Sequence, residues 1–149
     1  MNQPLKNIRI AIAVSLFNDF ISKRLLTGCL NELHKLGVAQ KNISIIWAPG
    51  SFELPVLAQK LARKKAIDAV ICLGAVIRGE TYHFEVVAQG VAQGVMQASL
   101  NTGKPILLGV LTTDSVKQAN SRSDVKRENK GREVARAAFQ MVETLKNIN

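Results

Sequence analysis

Four short apolar runs, each separated from the next by a helix-length stretch, constrain this chain more than any other feature in it. They are Ile8–Val14, Ile43–Ala48, Ile67–Leu73 and Pro105–Leu111. Isoleucine, valine, leucine and alanine fill most positions, without the alternation of a strand that keeps one face in water. Strands buried on both faces need helices on both, and strand–helix–strand repetition gives parallel strands with right-handed crossovers. The expected fold is therefore α/β: a three-layer αβα sandwich, doubly wound on a four-stranded parallel sheet. The 149 residues suit a single domain, 1–149. Residues 1–7 read as an extended N-terminal arm.

The connecting stretches carry helix punctuation. The turn Ser15–Asp19 offers Asn18 or Asp19 as an N-cap. The helix after it places Ile21, Leu25, Cys29, Leu33 and Leu36 on one stripe and stops at Gly37. Ser51 is expected to cap the second helix, where Pro55 fits only in the first turn. Lys60, Arg63, Lys64 and Lys65 at the end of that helix complement its dipole and read as a solvated terminus. The third helix, Phe84–Leu100, carries Gly90 and Gly94 among small alanines, which implies close packing on the sheet or on another subunit. Thr112-Thr113-Asp114 should cap a short helix running toward Arg122. After the polar segment Ser123–Glu128, a last helix should turn Val134, Ala138, Met141, Val142 and Leu145 inward.

Composition works by exclusion. Hydrophobic and charged contents of 47% and 21% belong to a folded chain, not a disordered one. No run reaches membrane-spanning length, and Met1–Lys6 lacks the apolar core of a signal peptide, so a cytoplasmic protein with no membrane partner is expected. Cys29 and Cys72 fall in apolar patterns on different elements. They read as core residues in a reducing compartment, with neither a disulfide nor a metal pair. The formal charge of +9 could serve nucleic acid, an anionic substrate or solubility.

Ligands of doubly wound folds collect at the carboxyl ends of the strands. Four loops lie there: Ser15–Asp19, Pro49–Glu53, Gly74–His83 and Thr112–Ser115. They supply an aromatic face in Phe17, a carboxylate in Glu53, a glycine-bracketed amide loop and the imidazole of His83. A strand that breaks at glycines and reopens as a helix aims N–H groups at whatever stands before it, which suits an anion. The same stretch also reads as an ordinary strand-to-helix turn with a satisfied histidine. Taken from the residues alone, the loops make a site for a flat heterocycle beside an anion.

At these residues the chain resembles a known family. Phe17–Ile21, Ala48–Pro55 and Gly74–Phe84 match it in order, as do Gly109–Thr113, Gln118-Ala119 and Asn129–Gly131. The family is 6,7-dimethyl-8-ribityllumazine synthase, of riboflavin biosynthesis, and the resemblance runs from about Ile8 to the end. It implies a flavodoxin-like fold and a condensation of 5-amino-6-ribitylaminouracil with 3,4-dihydroxy-2-butanone 4-phosphate. An imine forms, phosphate is eliminated and the ring closes, with no metal or organic cofactor. By the resemblance Phe17 stacks on the pyrimidine, an offset contact worth about 1 kcal/mol. Ala75, Val76 and Ile77 hold the heterocycle's edge, while Ser51, Phe52 and Glu53 face the ribityl chain. Gly79, Glu80 and Thr81 meet the phosphate through N–H groups and the Thr81 hydroxyl, with the Glu80 carboxylate turned away. His83 is the proton carrier, since an imidazole, with an ordinary pKa of about 6.5, takes and returns protons at neutral pH. Arg122 and Lys130 meet the phosphate from a neighbouring subunit, which implies a homo-oligomer, a pentamer or a shell of pentamers.

Two departures stand out. Leu108 occupies a position that is often aromatic in the family and packs over the heterocycle; a leucine can cover the ring but not stack on it. Ser123–Glu128 lacks the glycines many members carry there, which restricts the backbone and counts against a shell. Two other functions compete with this reading. A flavin- or nucleotide-binding module would share the fold but would not account for the ordered blocks. A nucleic-acid binder would use the positive charge, yet that charge is scattered over several helices without an aromatic–basic stripe, so no nucleic-acid partner is expected.

Overall fold

The four apolar runs pair as one all-parallel sheet in the computed structural model, which describes residues 7–148. Apart from Asn7, the expected N-terminal arm lies outside the described residues. The strands are β1 (Ile10–Ser15), β2 (Ile43–Ala48), β3 (Ala69–Ile77) and β4 (Ile106–Thr113), in the order β2-β1-β3-β4. Five helices flank them: α1 (Asp19–Lys35), α2 (Leu54–Ala62), α3 (His83–Thr102), α4 (Val116–Arg122) and α5 (Lys130–Ile148). This is the expected α/β, flavodoxin-like arrangement.

Both faces of the central strands are buried, and the period of two divides their residues between two cores. Ile10, Ile12 and Val14 of β1, with Ile71 and Leu73 of β3, join Leu25, Leu33, Val134 and Ala138 from α1 and α5. Ala11 and Ala13, with Val70, Cys72 and Val110, join Leu54, Ala58, Val91 and Val95 from α2 and α3. Each fully buried Ile, Leu or Val contributes roughly 1.5–3 kcal/mol relative to exposure. Cys29 and Cys72 are free and buried in different cores, and burial pushes both thiols up to about 12.

Several local expectations need correction. β3 does not break at Gly74. It pairs with β4 through Ile77↔Thr113, and a Cβ on Gly74 would lie 2.8 Å from Ser51 Oγ and 3.0 Å from Ser15 Cβ. That glycine gives room for close approach inside a strand. Ser51 does not cap α2; it is buried in a 3₁₀ turn, Ser51–Glu53, that leads into the helix, with Pro55 in the first turn. The cap of α4 is Ser115, whose Oγ accepts from the Gln118 N–H at 3.2 Å, and not Thr112–Asp114. Asn18 holds the N-cap position of α1 in a left-handed conformation (φ 61°) but makes no capping bond with its side chain. Met141 is 40% exposed, because the buried stripe of α5 runs through Gly131, Val134, Ala135, Ala138 and Val142, leaving Met141 on its flank. Within the chain Gly90 and Gly94 face not the sheet but Phe52 and Pro55, at the start of α2. His34 is exposed on α1, with Nε2 2.7 Å from Gln40 Oε1.

Candidate active site

Parallel strands end together, so the turns that follow β1, β2 and β3 stand side by side. Backbone bonds join the first two turns: the Leu16 N–H donates to the Ala48 carbonyl at 2.8 Å and the Phe17 N–H to the Pro49 carbonyl at 3.2 Å. The third joins through Asn18, whose Nδ2 donates to the Ala75 carbonyl at 2.9 Å. The left-handed backbone of Asn18, tolerated by asparagine better than by most residues, turns that amide away from α1 and toward β3.

A cleft of about 660 Å³ opens between these turns. Phe17 forms one wall; Ser51, Phe52 and Glu53 form a second; Ala75, Val76 and Ile77 line the floor from the end of β3. Gly79, Thr81 and His83 close the remaining side, where the loop meets the first turn of α3. The twenty residues of α3 direct the positive end of the helix dipole here, and the exposed Gly79–Tyr82 segment leaves its amides open to solvent. The next amide along is engaged locally: the His83 N–H donates to Thr81 Oγ1 at 3.4 Å.

Ten of the fourteen expected site residues therefore share one cleft. Glu80 lies between two of its lining residues without lining it. Leu108, Arg122 and Lys130 stand apart, on β4, at the end of α4 and at the start of α5. Arg122 Nη1 reaches only the Gln118 carbonyl of its own helix, at 3.4 Å, and Lys130 Nζ lies 3.8 Å from Glu133. The fourth loop, Thr112–Ser115, contributes no lining residue; Thr113 is buried and donates to the Ser115 carbonyl at 2.9 Å.

Sequence reasoning overlooked other walls of the cleft: Asn18, Pro49 and Gly50 on one side, Phe84, Val86 and Val87 on the other. It also overlooked Arg78. This guanidinium donates to Asp114 and Glu85, and its pKa is raised chiefly by the bond to Asp114 and then by that to Glu85. Asn18 and Arg78 fall inside loops the sequence places at the strand ends, Ser15–Asp19 and Gly74–His83, but no local signal singled out either residue for the site.

A doubly wound parallel sheet with a cleft at its strand ends, walled by an aromatic ring, a carboxylate and an amide loop, puts the protein in the flavodoxin-like α/β class, whose sites lie at the carboxyl ends of the strands. The particular family follows from comparison with known proteins. The family model of 6,7-dimethyl-8-ribityllumazine synthase matches residues 7–146. A 6,7-dimethyl-8-ribityllumazine synthase of Syntrophus aciditrophicus (strain SB) is 51% identical over 143 residues, covering 96% of this chain and 93% of its own length. The chain belongs to the 6,7-dimethyl-8-ribityllumazine synthase family and is accordingly a transferase of riboflavin biosynthesis.

Proposed function

We propose that the cleft condenses 5-amino-6-ribitylaminouracil with 3,4-dihydroxy-2-butanone 4-phosphate, without a metal or organic cofactor, in a site completed by a second copy of the chain. The observation that carries this reading is the convergence of ten residues from the ends of β1, β2 and β3 and the segments that follow them on one cleft. Phe17 offers its ring to the pyrimidine and the Ala75–Ile77 backbone its hydrogen bonds. Glu53 accepts from the ribityl hydroxyls beside Ser51 and Phe52. The amides of Gly79–Thr81 and the Thr81 hydroxyl receive the phosphate.

The amine of the uracil attacks the ketone, and loss of water gives an imine. Loss of the C3 proton then expels phosphate from C4 and leaves an enol; the enol tautomerises to a new carbonyl, and the ribitylamino nitrogen attacks it to close the second ring with loss of another water. Each step moves protons and none needs a strong nucleophile, so His83 at the rim is suited to a shuttle. Most of the acceleration comes from holding two reactants together in a partly apolar cleft. Purified protein mixed with both substrates and a chelator should produce lumazine fluorescence. Its absence would sink the reading.

Arg122 and Lys130 lie outside the cleft of their own chain, which is the expectation if a neighbour supplies them; Leu108, expected over the heterocycle, lies outside it as well. Large apolar side chains stand exposed beside the cleft and on α2 and α3: Phe17 70%, Val56 71%, Met96 64% and Leu100 72%. A surface of this kind fits burial against another copy, and a head-to-tail contact closes into a ring, here a pentamer. The buried free thiols suit a reducing, cytoplasmic setting. Refolding Phe17→Ser/His83→Ala protein with Arg122→Ala/Lys130→Ala protein should restore activity toward a fraction of wild type, because roughly a quarter of randomly formed contacts pair two intact faces. Mixed rings without recovery would assign all four residues to one chain's own site.

A further inference from the structure

Arg78 follows β3 directly, and its N–H extends the ladder to the Thr113 carbonyl at 2.9 Å. Its guanidinium meets three groups from different parts of the fold. Nε donates to Asp114 Oδ1 at 2.8 Å, Nη1 donates to Glu85, and the charged carbon sits 4.4 Å from the centroid of the Phe84 ring. Asp114 belongs to the loop after β4, Glu85 to the first turn of α3, and Phe84 to the wall of the cleft.

The segment bracketed by these contacts, Gly79–Tyr82, is exposed throughout and has few other ties. Its local bonds are the 3.4 Å contact from the His83 N–H to Thr81 Oγ1 and another of 3.4 Å from the Val86 N–H to the Tyr82 carbonyl. A loop this loosely held must be ordered when an anion binds, and a clamp across its ends removes much of that cost beforehand. Planar guanidinium geometry suits such a clamp, since one rigid fork can hold two carboxylates and lie flat on an aromatic ring.

We propose that Arg78 is a positioning residue for the phosphate-bearing substrate: by joining Asp114 to Glu85 across the mouth of the Gly79–Tyr82 loop, it pre-sets the amide cradle and the start of α3. This rests on the reading of the cleft given above. Arg78 acts through the loop and does not bind the anion itself: its Nε and Nη1 are turned to the two carboxylates and its plane lies on Phe84.

That distinction fixes the sign of the test. Arg78→Ala should raise KM for the phosphate substrate about fivefold to tenfold, the scale of losing two exposed charged contacts, and leave KM for the uracil within about twofold. Arg78→Lys, which keeps the charge but not the fork, should fall between. The double variant Glu85→Gln/Asp114→Asn should raise the same KM as Arg78→Ala does. A direct anion ligand would behave oppositely, since removing its competing carboxylates would lower that KM. Hydrogen exchange supplies a readout independent of catalysis: the amides of His83 and Val86, which bond to Thr81 and Tyr82, should exchange faster in Arg78→Ala while those of β1 and β3 do not. Unchanged exchange, equal rises in both KM values, or a lowered KM in the double variant would each overturn the proposal. A wild-type protein that forms no lumazine would refute the functional reading, while the exchange experiment would still test the clamp.

Discussion

Gly90→Ala tests whether Phe52 shapes the cleft or merely covers α3. A Cβ at position 90 would lie 2.5 Å from Phe52 Cε2 and 3.2 Å from Cδ2. Carbon atoms in contact settle at about 3.5–4.0 Å, so the nearest ring atom must retreat by about 1–1.5 Å. Phe52 is 54% exposed, so its ring can swing outward without separating α2 from α3. Two small stability effects then oppose each other. Overpacking costs about 1 kcal/mol or more, and replacing a mid-helix glycine by alanine returns about 0.5–1 kcal/mol. The melting temperature should therefore move by only a few degrees. The wall assigned to the ribityl chain moves more, and KM for the uracil should rise about tenfold, equivalent to about 1.4 kcal/mol, with KM for the phosphate substrate nearly constant. Steady-state lumazine formation with each substrate varied in turn, beside a thermal melt, measures both. An unchanged KM for the uracil would remove Phe52 from the ribityl wall. A collapse of the melting temperature would mean the ring cannot yield and the exposure argument is wrong.

Gly131→Ala should behave in the contrary way, because its Cβ would meet the Leu25 carbonyl oxygen at 1.9 Å, and backbone cannot swing aside; a loss of about 3 kcal/mol or more is expected in denaturant titration. His83→Ala should slow turnover about tenfold to a hundredfold, since proton transfer is only part of the rate enhancement; an unchanged rate would reduce the imidazole to a turn residue. Arg122→Ala should raise KM for the phosphate substrate far more than for the uracil, and equal rises would make it an interface brace. Cys29 and Cys72 titrate near 12 in the folded chain against 9.0 for an unburied thiol. Their contribution to stability is therefore complete below about pH 9 and lost as pH rises through about 12. Unfolding free energy followed between pH 8 and 11 should fall less steeply in Cys72→Ala than in wild type, and parallel curves would show the thiol is not the cause.

The sheet was legible because burial on both faces leaves a mark in sequence: runs such as Ile10–Val14 and Val70–Leu73 contain no polar residue at all. Strand ends were not legible. β3 continues past Gly74 because β4 is present to pair with it as far as Ile77↔Thr113, and nothing local to Gly74 announces its partner Val110, 36 positions away. The capping residues failed for a related reason. Ser51, Thr113 and Ser115 are all competent caps by type, and only the packing of the turns decides among them. Ser51 is instead wedged beside Gly74, and Thr113 spends its hydroxyl on the Ser115 carbonyl. Within the cleft, contiguous motifs such as Ser51–Glu53 and Ala75–Ile77 were readable as blocks. The bonds that join the blocks were not, since Asn18 and Ala75 are 57 positions apart and Arg78 and Asp114 are 36 apart.

The residues that stand outside the cleft complete the argument from the other direction. Arg122 and Lys130 bracket a segment that is held by its own chain. Asn129, 2% exposed, donates through Nδ2 to the Ser123 carbonyl at 3.0 Å and accepts the Arg132 N–H on Oδ1 at 3.0 Å, while Arg132 Nη1 donates to the Arg127 carbonyl at 2.6 Å. A bridge between Ser123 and Asn129 closes the segment at its base. The separation of the two cations is thus set by contacts inside one subunit, where among the described residues Arg122 has no ion-pair partner and Lys130 has only the 3.8 Å contact to Glu133. Fixing the spacing of two exposed positive charges in advance lowers the cost of bringing them to a shared phosphate. It also makes the missing glycines of Ser123–Glu128 intelligible. A backbone fastened at both ends and in the middle has no use for extra freedom, and the half-site proposed for it would be rigid before a neighbouring cleft arrived.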